Sequence, residues 1–299
     1  MERTPVIEVQ NLHKFYGKVT GVKDISFTVS KGEIFGFLGP NGSGKTTTIR
    51  LLLDLLRPSG GQVEIFGLNL KDHAFEIRKR CGYLPGNFAA YGNLTGNEFL
   101  KFLSGLRGNE YPDYEKLTDR LGISVADMDR KIRNLSHGTQ QKIGIIQAFM
   151  HSPELLILDE PTIGLDPLMQ YEFYELLKEY QAKGGTVFLS SHNLSEVERI
   201  CHRIAIIRKG EIVKVESIEN LRRKMKRKLI LTMKPDAKTV ELEGASPVKR
   251  TGQIFEFEFN GDISALIARL SELPVTDVIF PEPDLQEIFM NYYKGQNDE

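Results

Sequence analysis

The chain has 299 residues, 40% of them hydrophobic and 26% charged, a balance that supports a core of normal size and excludes an intrinsically disordered chain. Its 39 basic and 40 acidic side chains nearly cancel, so the overall charge gives no reason to expect nucleic acid as a partner. The two cysteines, Cys81 and Cys201, exclude a disulfide scaffold, show no metal-ligand spacing, and read as small buried hydrophobes.

The length allows about two domains at roughly 150 residues each. The first residues lack the basic end and apolar core of a signal peptide. No apolar run approaches the ~18 residues that span a bilayer, so a cytoplasmic, soluble chain is expected.

In chain order, 6–9 and 25–29 read as strands around a turn rich in Gly and Lys. The apolar run 34–38 leads into a glycine-rich stretch. A helix is predicted from Lys45 to about Leu56, stopping before Pro58. Residues 62–66 suit a strand, and 72–80 a helix with Asp72 as its cap. The spacing makes 95–151 mostly helical, and the continuous run 155–158 fits a strand buried on both faces. Helix, strand and helix follow at about 167–183, 186–190 and 194–202, then a hairpin over 203–215 turning at Lys209-Gly210. Apolar runs alternating with helices predict an α/β core with parallel strands.

The charge pattern then changes. Residues 203–228 carry ten basic and three acidic side chains, and 229–299 carry six and thirteen. A boundary falls around 217–228, giving a first domain over 1–220, a basic linker at about 221–228, and a small α+β domain over 229–299. In the tail, 229–233, 254–259 and 275–280 read as strands, and 263–273 and 284–293 as helices. IFEFEF, over 254–259, alternates cleanly with one apolar face.

Gly39-Pro40-Asn41-Gly42-Ser43-Gly44-Lys45-Thr46 matches GxxxxGK[ST] between a strand and a helix, and Thr47 follows. Glycines let successive backbone N–H groups curl around an anion, and the helix presents its positive end to phosphate. Lys45 reaches the β- and γ-phosphates of a nucleotide in such a loop, and the Thr46 hydroxyl joins the Mg²⁺ shell. Leu155-Leu156-Ile157-Leu158 delivers Asp159 and Glu160 to the end of a sheet. Beside a phosphate loop, Asp159 is a candidate magnesium carboxylate and Glu160 a candidate base for an attacking water.

With these residues, Leu135-Ser136-His137-Gly138-Thr139-Gln140-Gln141-Lys142, Gly164-Leu165-Asp166 and Ser190-Ser191-His192 resemble, in order, the motifs of an ABC transporter ATP-binding subunit. The resemblance covers about residues 6–215. It implies a P-loop NTPase cassette of α/β class: a mainly parallel core sheet, an antiparallel N-terminal β subdomain and a helical signature subdomain, followed here by the small α+β domain. It implies Mg²⁺-dependent ATP hydrolysis by two cassettes joined head to tail, as a homodimer or with a similar cassette. Ser136 and Gly138 would contact the γ-phosphate held by the opposite subunit, and His192 would contact the γ-phosphate beside Glu160. Tyr16 would stack on adenine, although it could be an ordinary strand-end aromatic, and Asp166 could simply cap the next helix.

The family resemblance also implies a separate transmembrane permease, with the chain peripheral on the inner face of the cell membrane. The stretch Tyr91-Gly92-Asn93-Leu94-Thr95-Gly96-Asn97-Glu98 and the tail Leu285-Gln286-Glu287-Ile288-Phe289 resemble the drug- and antibiotic-efflux branch, which points to an exporter. Three positions depart from the family pattern. His137 replaces a signature glycine, Thr139 replaces the signature glutamine, and Gly86 stands where a glutamine is usual, with Asn87 the adjacent amide. Two alternatives stay open: a soluble ABC ATPase acting on nucleic acid or ribosomes, and an ATP-binding regulatory module with little turnover. The basic run 221–228 is either a solvated linker helix or a contact for anionic lipid.

Overall fold

The computed structural model describes residues 4–88, 91–106, 114–223, 227–235, 241–281 and 289. The chain divides into two compact units, Met1–Ile218 and Glu219–Glu299.

The first unit opens with a hairpin, β1 (Pro5–Tyr16) and β2 (Val19–Ser30). Both strands run beyond the apolar stretches 6–9 and 25–29, because pairing continues through polar residues to Tyr16 opposite Val19. β3 (Ile34–Leu38) is wholly buried and feeds the glycine loop and α1 (Lys45–Leu52). α1 ends at Leu52 and not near Leu56: Asp54 takes a left-handed φ of 54°, and the Leu55 N–H returns to the Arg50 carbonyl at 2.9 Å. Arg57 and Arg78 flank the Asp54 carboxylate at 3.1 and 3.6 Å.

β4 (Gly60–Ile65) and β5 (Leu68–Asn69) precede α2 (Leu70–Lys79). The cap of α2 is Asn69, whose side chain accepts the Lys71 N–H at 3.0 Å. Asp72, the expected cap, lies inside the first turn, where its charge faces the positive helix end. β6 (Cys81–Leu84) leads into α3 (Gly96–Leu106), α4 (Tyr114–Arg120), α5 (Val125–Met128), a 3-10 turn at Ile132–Asn134 and α6 (His137–Phe149). Then β7 (Leu155–Asp159), α7 (Pro167–Ala182), β8 (Thr186–Ser191) and α8 (Leu194–Ile200) alternate. β9 (Arg203–Arg208) and β10 (Glu211–Ser217) form the expected hairpin, with φ of 51° at Lys209 and 83° at Gly210.

Two sheets result. β2-β1-β4-β5 is antiparallel, and β10-β9-β3-β8-β7-β6 is parallel except for its β10–β9 edge. One core joins them. Phe27 from β2 packs on Phe35, Phe37 and Phe188 with ring centroids 5.8, 5.5 and 5.8 Å away. α1 adds Ile49 and Leu52 to the same cluster. This core anchors the glycine loop on both flanks.

In the second unit, α9 (Ile218–Arg223) starts at the boundary, and β11 (Arg227–Met233), β12 (Ala245–Thr251), β13 (Ile254–Phe259), α10 (Ile263–Ser271) and β14 (Val275–Ile279) follow. The sheet is antiparallel in the order β12-β13-β11-β14. Phe255, Phe257 and Phe259 of the alternating strand are buried with Leu229, Leu231 and Leu266. β12 was not predicted: it is an almost wholly exposed edge strand carrying Pro247 and a register shift. The run expected as a linker contains the end of α9 and the start of β11, with 224–226 outside the described residues. The helix expected over 284–293 lies outside the described residues except for Phe289, which is buried.

Phe188 is fully buried at the junction of the aromatic cluster. Phe188→Ala should cost about 3–5 kcal/mol and Phe188→Leu less, read from the denaturant midpoint of the first unit.

Candidate functional site at the strand ends

β3, β7 and β8 run parallel, with Leu38 opposite Ser191 and Asp159 opposite Ser190. Their following loops therefore open on one edge, the carboxyl edge where parallel sheets bind ligands. A cavity of about 960 Å³ lies at the other end, lined in part by Glu154 before β7 and Thr186 at the start of β8. The glycine loop and the acidic pair are not part of it.

Close packing holds the glycine loop. The Gly39 N–H donates to the Ser191 carbonyl at 3.1 Å, and a Cβ at Gly39 would lie 2.4 Å from the Ile207 carbonyl oxygen. Gly44 caps α1 at a φ of 112° that disfavours other residues, and no side chain closes the first turn. The N–H groups there are left to an anion. Ser43 Oγ is buried with no hydrogen-bond partner among the described residues. Pro40, Asn41, Gly42 and Thr46 are exposed along the loop, and Thr47 is half-buried.

Lys45 is buried, and its Nζ donates to the carbonyls of Gly39 at 2.8 Å and Pro40 at 3.2 Å. The same nitrogen is 3.1 Å from Glu160 Oε1. His192 Nδ1 lies 2.6 Å from the other oxygen, Oε2. Lys45, Glu160 and His192 thus form a continuous polar chain. The preceding carboxylate turns to a different set of partners. Asp159 accepts from Thr46 Oγ1 at 2.8 Å and from Ser190 Oγ at 2.5 Å. Burial, helped by Asp159, pushes the neighbouring Tyr83 phenol up to about 12, so it stays neutral beside that carboxylate.

Thr46 Oγ1 and Asp159 Oδ2 are hard oxygens of the kind that suits Mg²⁺. Among the described residues no group of three or more His, Cys, Asp or Glu could hold a metal ion. The Thr46–Asp159 oxygen pair fits an ion whose shell would be completed by phosphate and water.

Tyr16 is half-exposed beside the loop. A Cβ at Gly21 would meet the Tyr16 ring at 2.8 Å and the Thr47 methyl at 3.1 Å, so both side chains flank that glycine. Lys14 Nζ lies 5.4 Å from the Tyr16 ring centroid. Ser136 and Gly138 stand apart from this cluster. Ser136 Oγ caps α6 by accepting the Thr139 N–H at 3.1 Å, with Thr139 Oγ1 2.9 Å away. Thr139, in place of the glutamine, therefore supports the cap. A Cβ at Gly138 would be 2.7 Å from the Gly164 carbonyl oxygen, and one at Gly164 would be 2.6 Å from the His137 ring. His137 thus packs on the loop after β7. Asp166 does cap α7, accepting the Met169 N–H at 3.0 Å.

Gly86 lies against the acidic strand end: a Cβ there would be 3.2 Å from the Asp159 carbonyl oxygen and 3.3 Å from its carboxylate. Asn87 beside it is exposed. In the basic run, Arg223 pairs with Glu219, Arg227 stacks 3.7 Å from the Phe280 centroid, and Lys228 pairs with Glu256 at 2.9 Å. These three cations have partners in their own unit.

Sequence reasoning gave Ser190 no role of its own, yet it binds Asp159 through its hydroxyl and accepts the Glu160 N–H on its carbonyl at 3.1 Å. Only its register opposite Asp159 could have signalled this. The buried Ser191–Glu196 pair was missed as well. Because the Gly39 loop has no room for a methyl group, Gly39→Ala should weaken binding of a fluorescent ATP analogue by about ten-fold or more, equivalent to ~1.4 kcal/mol.

The model of the ABC transporter family matches residues 22–163. The linearmycin resistance ATP-binding protein LnrL of Bacillus subtilis is 32% identical over 305 residues, covering 96% of this chain and 97% of that protein. The bacitracin transport ATP-binding protein BcrA of Enterococcus faecalis is 39% identical over 221 residues, covering 73% of this chain and 71% of that one. A solved ATP-binding subunit of an ABC transporter superposes with a TM-score of 0.68 at 31% identity, over 73% of this chain and 92% of the other. A glycine loop and an acidic strand end on this sheet order, with one relative aligned over almost the whole length, make the chain a member of the ABC transporter family: an ATP-binding subunit with ATPase activity.

Proposed function

We propose that this ATPase hydrolyses Mg²⁺-ATP at two composite sites of a cassette dimer and so drives a separate membrane permease that exports an antibiotic-like compound. The observation that carries the catalytic reading is the chain Lys45–Glu160–His192, at 3.1 and 2.6 Å, directly beside the Thr46–Asp159 pair. Gly39, Pro40, Asn41, Gly42, Ser43, Gly44 and Thr47 surround the triphosphate, with Tyr16 against the adenine. Lys45 exchanges Glu160 for phosphate oxygens. Thr46 and Asp159 would hold Mg²⁺, which supplies neutralisation of phosphate charge. Glu160, released from Lys45, takes the proton of the attacking water, and His192 keeps that carboxylate oriented and senses the γ-phosphate. Ser136 and Gly138, at the positive end of α6, serve the nucleotide of a second copy or a similar cassette.

Among the described residues no helix is long and apolar enough to cross a membrane, so a transport role for them requires a membrane-spanning partner. Through it the chain would sit at the inner face of the cell membrane. Export is supported by the relatives named for linearmycin resistance and bacitracin transport, the first aligned through the second unit as well. Direct contact with anionic lipid gains no support from Arg223, Arg227 or Lys228, each of which is partnered.

Glu160→Gln should lower kcat by about a hundred-fold or more while ATP binding persists, as expected for loss of a general base. Steady-state turnover and nucleotide binding check this together, and turnover that survives the substitution contradicts the assignment. Chelation with EDTA should stop wild-type turnover and added Mg²⁺ should restore it.

A further inference from the structure

The end of β8 presents three consecutive polar side chains, and each meets a different carboxylate. Ser190 binds Asp159, His192 binds Glu160, and Ser191 donates to Glu196 Oε2 at 2.6 Å. The first two acids belong to the site already described. Glu196 lies in α8 and is 3% exposed. Its second oxygen, Oε1, is buried with no hydrogen-bond partner among the described residues. Burial pushes this carboxyl's pKa up, opposed by the Ser191 and Thr162 hydroxyls. A buried acid costs stability and needs a reason.

Ser191 supplies one. Its oxygen accepts the Asn193 N–H at 2.9 Å, closing a turn around His192. Its single proton has two possible acceptors, Glu196 Oε2 at 2.6 Å and the Asn193 carbonyl at 3.3 Å. The shorter bond takes the proton. Asn193 then caps α8 by accepting the Ser195 N–H at 3.0 Å, so the loop is tied at both ends to the helix that carries Glu196. Without that carboxyl, the Ser191 hydroxyl would rotate, and the turn that aims His192 would lose its anchor.

We infer that Glu196 is a positioning residue for hydrolysis: through Ser191 it holds the turn that sets the His192 ring on Glu160. This rests on the assignment of Glu160 and His192 to the water-activating step.

The test uses the full chain as wild type, Glu196→Gln, Glu196→Ala, His192→Ala and the double variant His192→Ala/Glu196→Ala. Glu196→Ala should lower kcat between about ten- and a hundred-fold with KM changed less than two-fold, the scale expected when a catalytic group is misplaced. Glu196→Gln keeps an acceptor for Ser191 and should retain at least about half of the wild-type rate. In the His192→Ala background, removing Glu196 should cost nothing further, because the two act in series. A full loss in Glu196→Gln, or an equal loss in both backgrounds, overturns the proposal.

A second readout does not need turnover. In ¹⁵N histidine-ring spectra, the His192 signal should move in Glu196→Ala and stay in Glu196→Gln; an unmoved ring in Glu196→Ala overturns the proposal. Wild-type turnover that ignores Glu160→Gln would instead overturn the catalytic assignment, and the ring spectrum would still decide the role of Glu196.

Discussion

Asp159 and Glu160 are consecutive acids, and the site depends on their pointing to different partners. Glu160 takes a left-handed φ of 48°, uncommon for a residue with a side chain. That turn ends β7 with Asp159 on Thr46 and Ser190, and Glu160 on Lys45 and His192. In regular extended backbone, successive side chains would leave on opposite faces of the sheet. The conformation costs roughly 1–2 kcal/mol, and the Glu160 N–H bonds to the Ser190 carbonyl and hydroxyl, both at 3.1 Å, help hold it. One peptide unit therefore separates the carboxylate on Thr46 from the carboxylate on Lys45 and His192.

The neighbouring strand makes that separation usable. β8 lies parallel to β7 in fixed register, so its last residues fall beside both acids. It also pairs with β3, and the Ser191 carbonyl accepts the Gly39 N–H of the phosphate loop. Loop, acids and histidine are thus tied to one rigid sheet edge whose core is the Phe27, Phe35, Phe37 and Phe188 cluster. Sites on such scaffolds hold catalytic geometry better than sites built from free loops.

The legible parts of the site were those whose chemistry is contiguous in the chain. The phosphate loop and the Asp159-Glu160 pair each lie in one run with an apolar strand before it. What escaped depends on register or on competition between neighbours. Ser190 acquires its partner only by standing opposite Asp159, and Glu196 is reached through the Ser191 hydroxyl. Asn69 takes the cap instead of Asp72 because both residue types suit that position and the helix starts at Leu70. α1 ended early through a left-handed Asp54, where composition alone offered good helix formers up to Leu56. β12 carries no apolar alternation, because an edge strand with exposed faces has no need of one.

A crystal structure of Glu160→Gln with Mg²⁺ and ATP would show whether Lys45, Thr46, Asp159, residue 160 and His192 surround one triphosphate. The geometry predicts the γ-phosphate within about 3 Å of Lys45 Nζ and the His192 ring, with Thr46 and Asp159 on the metal side. A nucleotide seated elsewhere, or a γ-phosphate that the Lys45 and His192 side chains do not reach, would contradict it.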